Sequence, residues 1–199
     1  PTQINNIPSE LKQLRQWVCH KNKVPIIPGS EIAASPSDPS TWRSFQEAIQ
    51  YAGTSDGIGF VFSPDDPYVG VDIDHCIDDN NLLSADAKTI VNTIKSYTEK
   101  SQSGTGIHVI CKGTLPEGAR RNTHTGVEMY SDKRFFVVTG DKLSKTSAIA
   151  ERPAEIIDMY NGYVAKNNKQ MHVKSKTNPP QCNVTYETII GMLPKKKKE

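Results

Sequence analysis

The segment Val69-Gly70-Val71-Asp72-Ile73-Asp74 alternates apolar and acidic side chains. In a β-strand successive side chains point to opposite faces. Val71 and Ile73 can then anchor in a core while Asp72 and Asp74 stand about 7 Å apart on the other face. Two carboxylates held so close repel each other unless a cation neutralises them. Hard divalent ions such as Mg2+ favour one or two carboxylates together with phosphate oxygens. An Asp-x-Asp strand taken alone is only moderately specific, because several metal-dependent chemistries use it and an exposed charged edge spells the same letters.

Upstream, residues 58–62 (IGFVF) read as a second strand. The joint Ser63-Pro64-Asp65-Asp66-Pro67 is dense in turn formers and predicts a hairpin between the two. Downstream, Ala85, Ala87, Ile90, Val91 and Ile94 recur at helical spacing. Strands follow at 106–112, 127–130 and 134–139. Nearer the N-terminus, residues 16–21 (QWVCHK) read as a strand. Asp38-Pro39 reads as a helix start, an N-cap with Pro in the first turn, for a helix through Trp42, Phe45, Ala48 and Ile49. Pro153 opens a helix through Ile156, Ile157 and Tyr160. The expectation is an α+β domain with a mostly antiparallel sheet over residues 1–165. After Ala165 the composition turns to Lys, Asn, Gln and Pro, predicting a basic linker or tail over 166–199, with a short helix at 185–193.

Charge divides along the same line. Residues 1–165 hold 16 Lys and Arg against 20 Asp and Glu, whereas residues 166–199 hold 8 Lys against Glu187 and Glu199. A mildly acidic body suits a carboxylate-rich site, and a basic segment attracts polyanions or serves as a solvated linker. With 36% hydrophobic and 23% charged residues the balance is that of an ordinary globular chain able to bury a core. No apolar run approaches the roughly 20 residues that cross a bilayer, and the first twelve residues carry no secretory pattern. Cys19, Cys76, Cys111 and Cys182 are scattered and form no CxxC pair, which fits a reducing cytoplasm. Cys19-His20 and His75-Cys76 are neighbours whose side chains diverge on a strand, so no zinc site is expected from them.

Two further segments carry chemistry. Ser101-Gln102-Ser103-Gly104-Thr105-Gly106 leads into Ile107-His108-Val109-Ile110. Its glycines and hydroxyls let backbone N–H groups approach an anion, and His108 beside such a turn can hydrogen-bond a phosphate. In Gly126-Val127-Glu128-Met129-Tyr130, Glu128 lies between apolar neighbours, where a carboxylate needs a counter-charge. Arg134, opening Arg134-Phe135-Phe136-Val137-Val138-Thr139-Gly140, can fork onto phosphate oxygens or pair with Asp132 or Glu128.

Taken in order, these three motifs resemble the archaeo-eukaryotic primase superfamily, most nearly the bifunctional primase-polymerase domains of phage and plasmid replication proteins. The similarity runs from about Gln16 to Gly140 and takes in Lys23-x-Pro25 and Asp38-Pro39-x-x-Trp42. It implies an RRM-like sheet with flanking helices, packed against a small N-terminal α/β unit. It implies DNA-polymerase activity by two-metal catalysis with Mg2+ or Mn2+, and leaves priming open. Asp72 and Asp74 would bind metal, with Glu128 at a position where many members carry Asp. His108, Ser103, Gly104, Gly106 and Arg134 would meet the nucleotide. Partners would be a single-stranded DNA template, a primer and nucleoside triphosphates, with a helicase domain or protein compatible, in the cytoplasm of a bacterial host. A metal-dependent nuclease would also need clustered carboxylates, though not a triphosphate-binding His and Arg. A non-catalytic single-strand-binding module would rely on the basic tail and on Tyr97, Tyr130 and Phe135.

Overall fold

The computed structural model describes residues 2–165; the basic segment 166–199, with its expected helix at 185–193, lies outside them. In chain order the regular elements begin with α1 (Ser9–Lys12), β1 (Trp17–Lys21), β2 (Val24–Ile26), α2 (Phe45–Tyr51), β3 (Gly57–Phe62) and β4 (Tyr68–Ile73). They continue with α3 (Ala85–Ile94), β5 (Tyr97–Lys100), β6 (Ile107–Lys112), β7 (Arg121–Asn122), β8 (Val127–Tyr130), β9 (Arg134–Val138) and α4 (Pro153–Met159). The strands form two sheets, β2-β1-β3-β9 and β5-β6-β4-β8-β7. Every neighbouring pair is antiparallel. The fold is α+β, as expected, with an antiparallel sheet in each of two layers.

Within the five-stranded sheet the order β8-β4-β6-β5, with α3 following β4, is what an RRM-like module implies. Its second helix, α4, comes from beyond both sheets rather than from between β6 and β8. One face is apolar, with Val71, Ile73, Val109 and Met129 packed beneath Ile90, Ile94 and Ile156. Ser84 caps α3 by accepting from the Ala87 N–H, which fixes where that cover begins. The opposite face meets the four-stranded sheet through Trp17, Phe60, Phe62, Tyr97, Ile110 and Phe136, with edge-to-face rings such as Phe62–Phe136 at 4.9 Å.

The hairpin expected between β3 and β4 does not form. β3 is paired on both edges, with β1 and β9, and β4 on both edges, with β6 and β8. The joint at 63–67 therefore arches from one sheet to the other, tied by Asp66, which accepts from the N–H groups of Ser63 and Tyr68 and from Gln16 Nε2. The sheets close at Gly70, where a Cβ would lie 2.5 Å from the rings of both Phe62 and Phe136.

The helix expected from Asp38 is divided. Asp38 caps only a 3-10 turn at Pro39–Thr41. The chain then runs extended, with Arg43 exchanging backbone hydrogen bonds with Trp17. The α-helix starts after Ser44, whose capping box with Glu47 is the stronger start signal. The N-terminal unit is likewise not wholly N-terminal, because β9 completes its sheet.

Candidate active site

β4 is the centre of the site because strand register fixes what stands beside it. Asp72 lies opposite His108 on β6 and opposite Glu128 on β8. His108 in turn lies opposite Glu99 on β5. The four side chains thus form one row across adjacent strands, at about 4.8 Å per strand. Their neighbours Val71, Val109 and Met129 point the other way, into the helix-covered core. Apolar anchoring on one face and ionisable groups on the other is the division that the alternation predicted. At the end where Phe60, Phe62 and Ile110 meet, the two sheets are packed shut. At the other end they part into a cleft of about 240 Å³ whose lining includes Asp72, Asp74, His108, Glu128, Arg134 and Lys23.

Asp74 sits one residue beyond β4, exposed, with its N–H donating to Gly126 O. Asp72 is mostly buried, and its Oδ1 has no hydrogen-bond partner. Burial raises its pKa, the charges of Asp74 and Glu128 raise it further, and His108 and Arg134 oppose them. His108 Nε2 is 3.7 Å from Asp72 Oδ1, and Nδ1 is 3.5 Å from Glu99 Oε1. Burial disfavours a charged imidazole, but Glu99, Asp72 and Asp74 outweigh it and lift the His108 pKa above the ordinary histidine value. The ring stacks on Phe136 at 4.8 Å between centroids.

Glu128 has its counter-charge in the protein. Arg134 Nη2 lies 3.3 Å from Glu128 Oε2, and Tyr130 Oη donates to the same oxygen at 2.8 Å. The Arg134 guanidinium covers the Tyr130 ring at 4.7 Å. Among the described residues no group of three or more His, Cys, Asp and Glu side chains is drawn together as a metal-holding set. The chemistry of the donors fits a different kind of site, in which one or two carboxylates share an ion with ligand phosphates. Asp72, with an unpartnered buried oxygen and with Glu128 opposite it on the neighbouring strand, fits that requirement.

In the turn after β5, Ser103 lines the cleft but Gly104 and Gly106 do not. Several of the turn's backbone donors are spent within the turn. The N–H of Gly104 binds Ser101 O, that of Thr105 binds Ser103 Oγ, and that of Gly106 binds Ser101 Oγ. Ser101 and Ser103 line the cleft with hydroxyls, which form a chain with Thr105 at 3.0 Å per link. Gly106 answers to close approach, since a Cβ would lie 2.8 Å from Ile73 O.

Two residues escaped the sequence reading of the site. Lys23 reaches the cleft from the β1–β2 turn, and the Lys23-x-Pro25 pattern was its one signal. Glu99 is fully buried. Its strand, Tyr97-Thr98-Glu99-Lys100, has no apolar–polar contrast to mark a face.

No family model matches the chain. A curated protein does: the DNA primase-polymerase of Nitratiruptor phage NrS-1 is 30% identical over 200 residues. The match covers 94% of this chain, which spans only 27% of that relative's length.

Proposed function

We propose, from the premise that this chain is similar over nearly its whole length to a phage primase-polymerase, that its cleft carries out template-directed nucleotidyl transfer in DNA replication. The observation that carries the reading is the register-fixed row of Asp72, Glu128 and His108, opening onto a cleft that also holds Asp74, Lys23 and Arg134. One class of side chain there suits divalent cations and the other suits a triphosphate. Asp72, Asp74 and Glu128 would hold Mg2+ or Mn2+, which when bound neutralises triphosphate charge and stabilises attacking and leaving oxygens.

The chain's own part is placement and electrostatics. His108, its pKa raised by the carboxylates around it and its ring stacked on Phe136, presents Nε2 to phosphate oxygens. Arg134 exchanges Glu128 for phosphate as the nucleotide enters, and Lys23 closes the same side. Ser103 donates through its hydroxyl. A strand being extended supplies its own 3′-hydroxyl, so no side-chain nucleophile is needed.

Primer extension on a single-stranded template, with each nucleotide type and with Mg2+ or Mn2+ varied, tests the proposal. Templated, metal-dependent lengthening of the primer is the expected result. Degradation of the primer would favour a nuclease, and binding without either outcome a non-catalytic module.

A further inference from the structure

Glu99 is absent from all three sequence motifs, yet it is the most tightly held ionisable group near the cleft. It is 0% exposed. Tyr97 Oη donates to its Oε2 at 2.6 Å, the Gly140 N–H to the same oxygen at 2.8 Å, and the Thr139 N–H to Oε1 at 3.1 Å. A buried carboxylate is costly unless its lone pairs are met, and here three donors from two parts of the chain meet them. Thr139 and Gly140 lie just past β9, so Glu99 also fastens the end of one sheet to the edge of the other. The oxygen it turns toward the site, Oε1, stands 3.5 Å from His108 Nδ1. That nitrogen is buried and has no hydrogen-bond partner, so the Glu99 carboxylate is the polar group placed to engage it.

We propose that Glu99 is a positioning residue for His108: the fixed carboxylate engages Nδ1 and thereby aims Nε2 into the cleft, so that the imidazole meets the incoming triphosphate in one orientation. The inference rests on the nucleotidyl-transfer reading for the identity of the ligand, though not for the pairing itself. A histidine ring has two nitrogens, and what one of them binds decides where the other points. Stacking on Phe136 favours one ring plane, within which a half-turn about Cβ–Cγ would exchange Nδ1 with Cδ2, and Glu99 beside Nδ1 selects between the two orientations. Tyr97 is a support one step further out. Its hydroxyl is buried against Glu99, and burial together with that carboxylate raises its pKa, so it remains a donor.

The test is a double-mutant cycle read by direct binding of a nucleoside triphosphate and by steady-state extension. Glu99→Gln should weaken triphosphate binding about tenfold, the scale of one charge-assisted hydrogen bond, and raise the nucleotide KM in proportion. Template affinity should be unchanged and kcat nearly so. In a His108→Ala background the same substitution should add almost nothing, because its effect passes through the missing ring. Additive losses in the cycle, or equal falls in kcat and template affinity, overturn the proposal in favour of a purely structural Glu99. Should Glu99→Gln not fold, Tyr97→Phe gives the same cycle in milder form. The nitrogen-15 signals of the His108 ring provide a readout that needs no activity. A change at Nδ1 in Glu99→Gln upholds the pairing even if the wild-type protein extends no primer, in which case only the functional reading falls. An unchanged ring signal overturns the pairing.

Discussion

Asn at position 72 or 74 keeps the size of the side chain and removes its charge. Asp72→Asn and Asp74→Asn should each lower metal-dependent incorporation by at least about a hundredfold, with the far-ultraviolet circular dichroism unchanged. Near-normal extension by either would remove β4 from the site. Glu128 is a subtler case, because Arg134 and Tyr130 already hold it. If it also serves an ion, Glu128→Gln should impair extension far more than Asp79→Asn, a change in the exposed loop beyond β4; equal effects in parallel assays would count against it. His20 offers a test of stability. It is buried, and neither ring nitrogen has a partner. Burial lowers its pKa, Asp56 opposing and Lys23 adding to the shift. Its contribution to stability is therefore fully present above pH 6.5, where both folded and unfolded histidine are neutral. It declines as pH falls from there toward the folded pKa, by about 1.4 kcal/mol for each unit of depression. His108 works in the opposite sense, since its folded pKa is raised. The comparison to make is consequently wild type against His20→Leu: the denaturation free energy of the wild type should fall relative to the variant below pH 6.5, and parallel curves would contradict it.

The elements were legible wherever period and burial agree. α3 was expected from Ala87, Ile90 and Ile94, which do form its buried face, and β4, β6 and β8 alternate as their letters say. β5 was missed because both its faces are buried and both carry polar groups: Tyr97 and Glu99 inward, Thr98 on the other side. The arch between β3 and β4 was misread because turn chemistry specifies that a chain reverses, not which edge the next strand finds. Gly70 is where that arrangement can be tested. Gly70→Ala should cost about 1–3 kcal/mol, because the methyl would meet Phe62 and Phe136 at 2.5 Å. Gly53→Ala, with nothing within 4 Å of its Cβ, should cost far less. Urea titrations of the two variants would show the difference, and equal midpoints would mean that the sheets can yield at this point.

At the scale of the whole chain, charge separates an acidic body from the basic residues 166–199. All three motifs lie before residue 141, so truncation after Ala165 should spare extension of an existing primer at low salt. Beginning a strand demands more grip on an unpaired template. The full chain's template affinity should accordingly fall more steeply with salt than that of the truncated chain, and identical slopes in matched titrations would show that these lysines do not touch the template. Much of the protein's character is set by local pattern. The alternation of Asp72 and Asp74 with Val71 and Ile73, the Ser-Gly turn before His108, and Glu128 between Val127 and Met129 each assign a face from neighbouring letters alone. Those letters determined the α+β class and three of the four members of the ionisable row. Tertiary structure decided the remainder: that β3 and β4 part into separate sheets, that Glu99, His108, Asp72 and Glu128 fall in one register, and that Arg134 comes to Glu128. The physical reason is that side-chain alternation is a property of one strand, whereas register belongs to a pair. Segments far apart in the chain pair where their apolar faces find burial, and only then do their polar faces meet.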